Sequence, residues 1–158
     1  MNMRNGTHDL DTIREALTYA QRYRGSTFVL KLDYPVIADD LSPILLQDIA
    51  LLHHSGIRIV IVPGARERID EMLAAYSIPQ PVHLGERITS HEALTFVEMA
   101  AYEAASRIVT GLAGMGIQAL IGNWVRAKSR GVIDGIDYQY TGSVERVDTV
   151  TLSHLLEE

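Results

Sequence analysis

Three short runs in this 158-residue chain could hold a charged ligand: residues 31–35 (Lys-Leu-Asp-Tyr-Pro), residues 63–68 (Pro-Gly-Ala-Arg-Glu-Arg) and the pair Gly122-Asn123. Each follows a β-rich run, and open α/β sheets bind ligands beyond the carboxyl ends of their strands. Gly64, Ala65 and Arg66 stand between a strand and a helix, where backbone N–H groups and the helix dipole attract an anion. A single glycine in such a turn is equally common as plain structure. Arginine supplies twelve of the fourteen cations, Lys31 and Lys128 being the only lysines. A guanidinium forks onto carboxylates and is always charged, which suits a small anionic ligand, although arginines also make ordinary surface ion pairs. Neither G-x-G-x-x-G nor G-x-x-x-x-G-K-S/T occurs, so dinucleotide and P-loop readings gain little.

Other chemistries are excluded by composition. The chain has no cysteine, which removes disulfide scaffolds, thiolate metal sites and cysteine nucleophiles together. His53, His54, His83 and His91 match no ligand spacing with a carboxylate, so a metal hydrolase is a poor reading. Net charge is −6, opposite in sign to a phosphate-backbone binder, and no nucleic-acid partner is expected. Residues 1–11 are polar, unlike a secretory signal, and no apolar run approaches the roughly 18 residues that span a bilayer. The expectation is a cytoplasmic protein with no membrane partner.

The elements that must position these residues follow from periodicity. Residues 11–24 place Ile13, Ala16, Leu17, Ala20 and Tyr23 on one helical face that stops at Gly25. Residues 27–32 read as a buried strand, residues 42–54 as a helix capped by Ser42 with Pro43 in its first turn, and residues 57–62 as the next strand. That helix is apolar on more than one face, which predicts cover on two sides. Strand, helix, strand at this spacing is a βαβ unit with parallel strands. A further helix carries Ile69, Met72, Leu73 and Tyr76. Thr89-Ser90-His91-Glu92 opens a long helix through residue 112 with the stripe Leu94, Val97, Ala101, Ala104, Ile108 and Leu112. Glu103 and Arg107 can pair on its outer face. Residues 118–121 restart a strand, residues 124–147 form a β-hairpin excursion turning at Asp134-Gly135, and Asp148 caps a last helix over 150–156. The expected fold is α/β, a three-layer αβα doubly wound, mostly parallel sheet with a hairpin excursion, in one domain.

Several of these runs, taken together, resemble a known family. Residues 27–31 (Thr-Phe-Val-Leu-Lys), residues 48–66 ending in Val-Pro-Gly-Ala-Arg, and Ile69-Asp70 are similar to the N-terminal half of the amino acid kinase fold. The likeness is to N-acetylglutamate synthases, beside the N-acetylglutamate kinases. Arg87-Ile88-Thr89 resembles the family's Arg-Val-Thr, and Gly122-Asn123 with residues 131–142 looks like its hairpin. The resemblance implies that Arg87 holds a substrate carboxylate, that Gly64, Ala65 and Arg66 offer N–H groups to the same acetylglutamate-like ligand, and that Asn123 belongs to that site. Lys31 matches the family lysine.

Two departures limit what the resemblance implies. The family kinases follow this lysine with Lys-x-Gly-Gly, where glycines let backbone N–H groups approach the transferred phosphate. Here Asp33, Tyr34 and Pro35 follow: Asp33 would repel phosphate, the Tyr34 side chain would obstruct close approach, and Pro35 has no N–H. The relatives also continue into a nucleotide-binding half, and the synthases into an acetyltransferase domain. The resemblance therefore implies that ATP with magnesium and acetyl-CoA are held by parts outside these residues, with no cofactor on this chain. Two expectations stand side by side: a truncated amino-acid-kinase-like domain of arginine biosynthesis, inactive alone but able to bind an acetylglutamate-like acid, and a non-catalytic oligomerisation or regulatory module. In either case a homo-oligomer is expected, a dimer through the 90–112 helix, with the N-terminal helix as a further contact and a missing C-terminal half as a candidate partner.

Overall fold

Two short strands rich in aliphatic residues form the parallel pair on which the structure is built. The computed structural model describes residues 4–157. Strand β1 (Thr27–Leu32) and strand β2 (Arg58–Pro63) run parallel in register from Thr27 opposite Arg58 to Leu32 opposite Pro63. The crossover between them contains a short helix α2 (Tyr34–Ala38) and helix α3 (Ser42–His54). Ser42 is the first helical residue rather than the expected cap; Leu41 stands at the cap, its N–H donating to the Asp39 carboxylate at 2.7 Å. Helix α4 (Arg66–Ala75) follows β2, and helix α5 (His91–Ala113) is capped by Ser90, whose hydroxyl accepts from the Ala93 N–H at 3.1 Å.

Helices α2, α3 and α5 cover one face of the pair, and α4 packs on α2 and α5. Leu30, Leu32, Ile59 and Ile61 pack on a cluster of Tyr34, Ile37, Leu46, Ile49, Ala50, Ala104, Ile108, Leu112 and Ile117. A second cluster joins α4 to α5 through Ile69, Leu73, Ile78, Ala93 and Ala100. The fully buried stripe of α5 is Ala93, Ala100, Ala104, Ile108 and Leu112; of the expected residues in its first half, Val97 is half-buried against the core and Ala101 is exposed. Alanine has no bulk beyond Cβ and lets neighbouring helices close in at Ala93, Ala100 and Ala104.

Three expectations are corrected. The strands are half-buried, not buried: Val29 is 66% and Val62 47% exposed on the face opposite the helices. Helix α3 likewise leaves Ile44 and Leu51 in solvent, so it is covered on one side only. Residues 118–121, expected as a strand, pair with none of the described residues in a ladder, and Leu120 and Ile121 are exposed. An extended segment becomes a strand only when its N–H and C=O groups find a partner, and among the described residues none forms a ladder with it. The other ladders are antiparallel and form separate two-stranded sheets: β3 (Val82–His83) with β4 (Glu86–Arg87), β5 (Val125–Ser129) with β8 (Gly142–Val147), and β6 (Val132–Ile133) with β7 (Ile136–Asp137). The fold is mixed α/β.

The β5–β8 ribbon holds β6 and β7 at its tip, where Asp134 and Gly135 both have positive φ, the geometry of a tight primed turn. It is moored to the rest of the chain by Tyr138, which is 2% exposed and shares a 2.8 Å hydrogen bond with the His83 ring, and by Thr141, whose hydroxyl donates to the Arg87 carbonyl at 2.8 Å. Helix α6 (Thr149–Leu155) begins at Asp148, which accepts from the Thr151 N–H at 3.1 Å. At the other end, α1 (Arg4–Tyr23) leaves Leu10, Ile13, Leu17 and Tyr19 at least half exposed. Among the described residues, no helix is long and apolar enough to cross a membrane.

Candidate functional site at the carboxyl ends of the parallel strands

In-register parallel strands end together, so the turns after Leu32 and Pro63 lie side by side. The Gly64 N–H donates to the Leu32 carbonyl at 2.6 Å, extending the ladder by one bond into the turn. Ala65 then caps α4 with no side-chain hydrogen bond, and Arg66 opens the helix, exposed to solvent. The first N–H groups of a helix have no partner within it, so this end keeps donors for an anion.

Lys31, the next-to-last residue of β1, directs its ammonium to Asp33 Oδ1 at 2.8 Å. The same carboxylate oxygen lies 2.7 Å from the position a Cβ on Gly64 would occupy. Lys31, Asp33 and Gly64 are therefore one cluster. The expectation for Tyr34 is corrected: its side chain turns inward, 7% exposed, and does not obstruct the strand ends. Tyr34 opens α2 between its cap Asp33 and Pro35, and its ring joins the core cluster with Ile37, Ala104 and Ile108.

The Tyr34 hydroxyl donates to Glu103 Oε1 at 3.0 Å, while Arg68 Nε donates to Glu103 Oε2 at 2.8 Å. Arg107, one turn along α5, adds Nε and Nη2 donors to Oε1 at 3.3 and 3.2 Å. One carboxylate thus ties both strand-end turns to the long helix: the first through Tyr34 and the second through Arg68. The Arg68 hydrogen bond foremost, with help from Tyr34 and Arg107, holds the Glu103 carboxyl below the usual carboxylate range despite partial burial. Burial, then the bond to Glu103, pushes the Tyr34 phenol up.

Arg87, at the end of β4, reaches back to α4 and donates through Nη2 to Asp70 Oδ1. Asp70 is one turn after Arg66, so the ion pair brings Arg87 to the helix face that carries Arg66. Its guanidinium is 17% exposed and retains further N–H donors beyond the one on Asp70. Asn123 is exposed in the irregular run before β5, and among the described residues no hydrogen bond joins it to the other candidates. Of the histidines singled out above, His54 is hydrogen-bonded to the Ala50 carbonyl and His83 to Tyr138, and the His53 and His91 rings lie against His54 and Tyr140.

Glu103 is visible in the sequence only as the outer-face partner of Arg107, a pair that the structure retains. Its other partners lie 69 and 35 residues away, and helical periodicity carries no information about such contacts. Asp70 is likewise visible in the motif Ile69-Asp70 without its partner.

A profile of the amino acid kinase family matches residues 27–158, from the first strand to the end of the chain. The chain belongs to the amino acid kinase family. Among curated relatives, it is 38% identical over 149 residues to an amino-acid acetyltransferase of Pasteurella multocida, covering 91% of this chain and 34% of that protein. It is 35% identical over 160 residues to the amino-acid acetyltransferase of Proteus mirabilis, covering 96% of this chain and 36% of the relative. The fold superimposes on the N-acetylglutamate synthase of Neisseria gonorrhoeae complexed with coenzyme A and N-acetyl-glutamate, with a TM-score of 0.85 and 32% identity over 94% of this chain and 35% of that one. The same enzyme complexed with coenzyme A and L-arginine gives 0.82 and 31%. This amino acid kinase domain spans about a third of the length of these relatives.

Proposed function

We propose that this chain is the N-terminal lobe of an N-acetylglutamate-synthase-type amino acid kinase domain, serving arginine biosynthesis in the cytoplasm. In this reading it binds an acetylglutamate-like acid at the strand ends and does not itself transfer phosphate. The likeness to a synthase complexed with N-acetyl-glutamate supports the ligand class. The observation that carries the reading is the Lys31–Asp33 pair seated on Gly64, which puts a carboxylate where the family kinases have glycine. Those residues do not fit a nucleotide triphosphate, and the strand ends serve binding rather than phosphoryl transfer. Arg87 would grip a ligand carboxylate with the donors Asp70 leaves free, and the turn at Gly64, Ala65 and Arg66 would offer N–H groups, with Asn123 at the hairpin side. A complete three-layer, doubly wound sheet would form when further strands and helices cover the Val29 and Val62 face. Nucleotide and acetyl-CoA sites would lie on those additional parts.

Calorimetry with N-acetyl-L-glutamate tests this. Losing one charge-assisted contact costs about 1.5–3 kcal/mol, so Arg87→Ala should weaken binding at least tenfold. Asp70→Ala frees the guanidinium and should keep or improve affinity. Equal affinity for wild type and Arg87→Ala would reject the assignment, and heat-silent wild type would reject the ligand.

A second reading, an oligomerisation or regulatory module, draws support from α1. Its exposed Leu10, Ile13, Leu17 and Tyr19 form an apolar face that suits a second copy, and the outer face of α5, with Met99 and Tyr102 more than half exposed, suits an isologous dimer.

A further inference from the structure

We propose that Thr141 is the positioning residue of Arg87, and that through it the β5–β8 ribbon governs how the chain grips an acid. This rests on the reading that Arg87 holds the ligand carboxylate.

Arg87 closes β4, and its own hairpin is too small to fix it. The β3–β4 ladder has two residue pairs, Val82 opposite Arg87 and His83 opposite Glu86, around a turn at Leu84 and Gly85 that both have positive φ. An isolated two-stranded hairpin is marginally stable at best in water. The Arg87 main chain must be held from elsewhere. Among the described residues, the hydrogen bonds that join residues 125–147 to earlier parts of the chain fall on His83, Glu86, Arg87 and Thr89. The ribbon thus hangs on the segment that carries Arg87.

Thr141 is the joint. Its hydroxyl donates to the Arg87 carbonyl at 2.8 Å and accepts from the Thr89 N–H at 2.9 Å, so one side chain spans the stretch from Arg87 to Thr89. The Tyr140 N–H adds a bond to the carbonyl of the buried Thr89 at 3.0 Å. Thr141 is itself fixed in the ribbon: its N–H donates to the Tyr138 carbonyl at 2.9 Å, and its carbonyl accepts from the Arg130 N–H at 3.1 Å. Those two neighbours carry the anchorage along the same segment, Tyr138 to His83 at 2.8 Å and Arg130 to Glu86 at 2.6 Å. Arg87 is therefore held at its stem by the ribbon and at its tip by Asp70 of α4. The tip leaves guanidinium donors for a ligand, and the stem sets where they stand. A hydroxyl donates and accepts at once, which valine of the same shape cannot do. Displacing the ribbon moves Arg87, and by linkage a bound acid steadies the ribbon by the same factor.

Thr141→Val keeps the shape and removes the joint, and Thr141→Ser keeps the hydroxyl. Thr141→Ala is a second removal should valine fail to pack, and the 15N spectrum of each full chain reports its folding. Without ligand, the Arg87 Nε–H resonance, assigned by its loss in Arg87→Lys, should move toward that of solvent-exposed arginines in Thr141→Val and stay in Thr141→Ser. With N-acetyl-L-glutamate in the calorimeter, Thr141→Val should weaken binding about fivefold or more, and Thr141→Ser less than about twofold. In an Arg87→Ala background the valine should cost nothing further, which a merely structural role would not give. An unmoved Arg87 resonance would overturn the proposal, as would unchanged affinity in Thr141→Val or an equal loss with Arg87 already removed. Heat-silent wild type would instead reject the ligand, and the resonance would still decide whether Thr141 positions Arg87.

Discussion

Tyr34 and Glu103, 69 residues apart in the chain, meet in a 3.0 Å hydrogen bond that fastens the turn after β1 to the middle of α5. Because Arg68 binds the other oxygen of the same carboxylate, Glu103 holds the two strand-end turns in a fixed relation. A ligand site assembled from both turns depends on that relation.

Tyr34→Phe keeps the buried ring and removes only the donor. Glu103 retains its two arginines, so the loss is one hydrogen bond to a charged acceptor, about 1.5–3 kcal/mol. Urea unfolding followed by circular dichroism should show a lower midpoint with an unchanged slope. An unchanged midpoint would mean that the bond contributes nothing net.

The same cluster gives a pH signature. The Glu103 carboxyl lies below its unfolded value of about 4.3, so its contribution is complete above that value and is lost as pH falls through the folded one. Tyr34 has the opposite sign: its phenol is raised, so its contribution is complete below about 10 and fades as pH climbs past that. Stability from this cluster should be flat from about pH 5 to 9 and fall on both sides. Glu103→Gln should be clearly less stable than wild type at pH 6, with the gap narrowing toward pH 3. A gap independent of pH would show that the carboxylate charge is not what matters.

Such contacts explain why part of the molecule is legible in the sequence and part is not. The parallel pair, α3, α4 and α5 follow from local period and punctuation: Pro43 opens one helix, Ser90 caps another, and Ile57 to Val62 is a β-branched run between Gly56 and Pro63. Whether a strand is covered on one face or two is not local. Val29 and Val62 are as apolar as Leu30 and Ile61, yet only the latter meet a helix layer. Residues 118–121 have strand composition but no neighbour. At the site, glycine and arginine in the turn at residues 64–66 could be singled out from sequence, and Asp33 could be seen as an intruding charge. That Tyr34 turns inward, and that Glu103 receives it, depends on packing between elements that sequence spacing does not relate.

Gly111 marks the crossing of α5 with α3, and a Cβ there would collide with Leu46 Cδ1. Glycine inside a helix is about 1 kcal/mol worse than alanine by propensity, so its presence reflects that close approach. Gly111→Ala should destabilise the wild-type chain by about 1–3 kcal/mol through overpacking. In a Leu46→Ala background the same change should stabilise, because the collision is gone and the propensity gain remains. Thermal melts of the four proteins give the sign directly; destabilisation in both backgrounds would reject the crossing geometry.

The last prediction concerns association. Val29 and Val62 lie exposed on a strand pair with no third strand among the described residues, and α1 adds Leu10, Ile13, Leu17 and Tyr19, each at least half exposed. Exposed apolar faces and strands with free edges both favour contact with another chain. Multi-angle light scattering should therefore give a mass above the 17.5 kDa of one chain, rising with concentration. Deleting residues 1–24 separates the candidate surfaces. A dimer that survives the deletion places the contact on α5 or the strand pair, where Met99→Glu with Tyr102→Glu should dissolve it if α5 is responsible. A dimer lost with residues 1–24 places it on α1. A monomer at every concentration would remove self-association altogether and leave these faces to a different polypeptide.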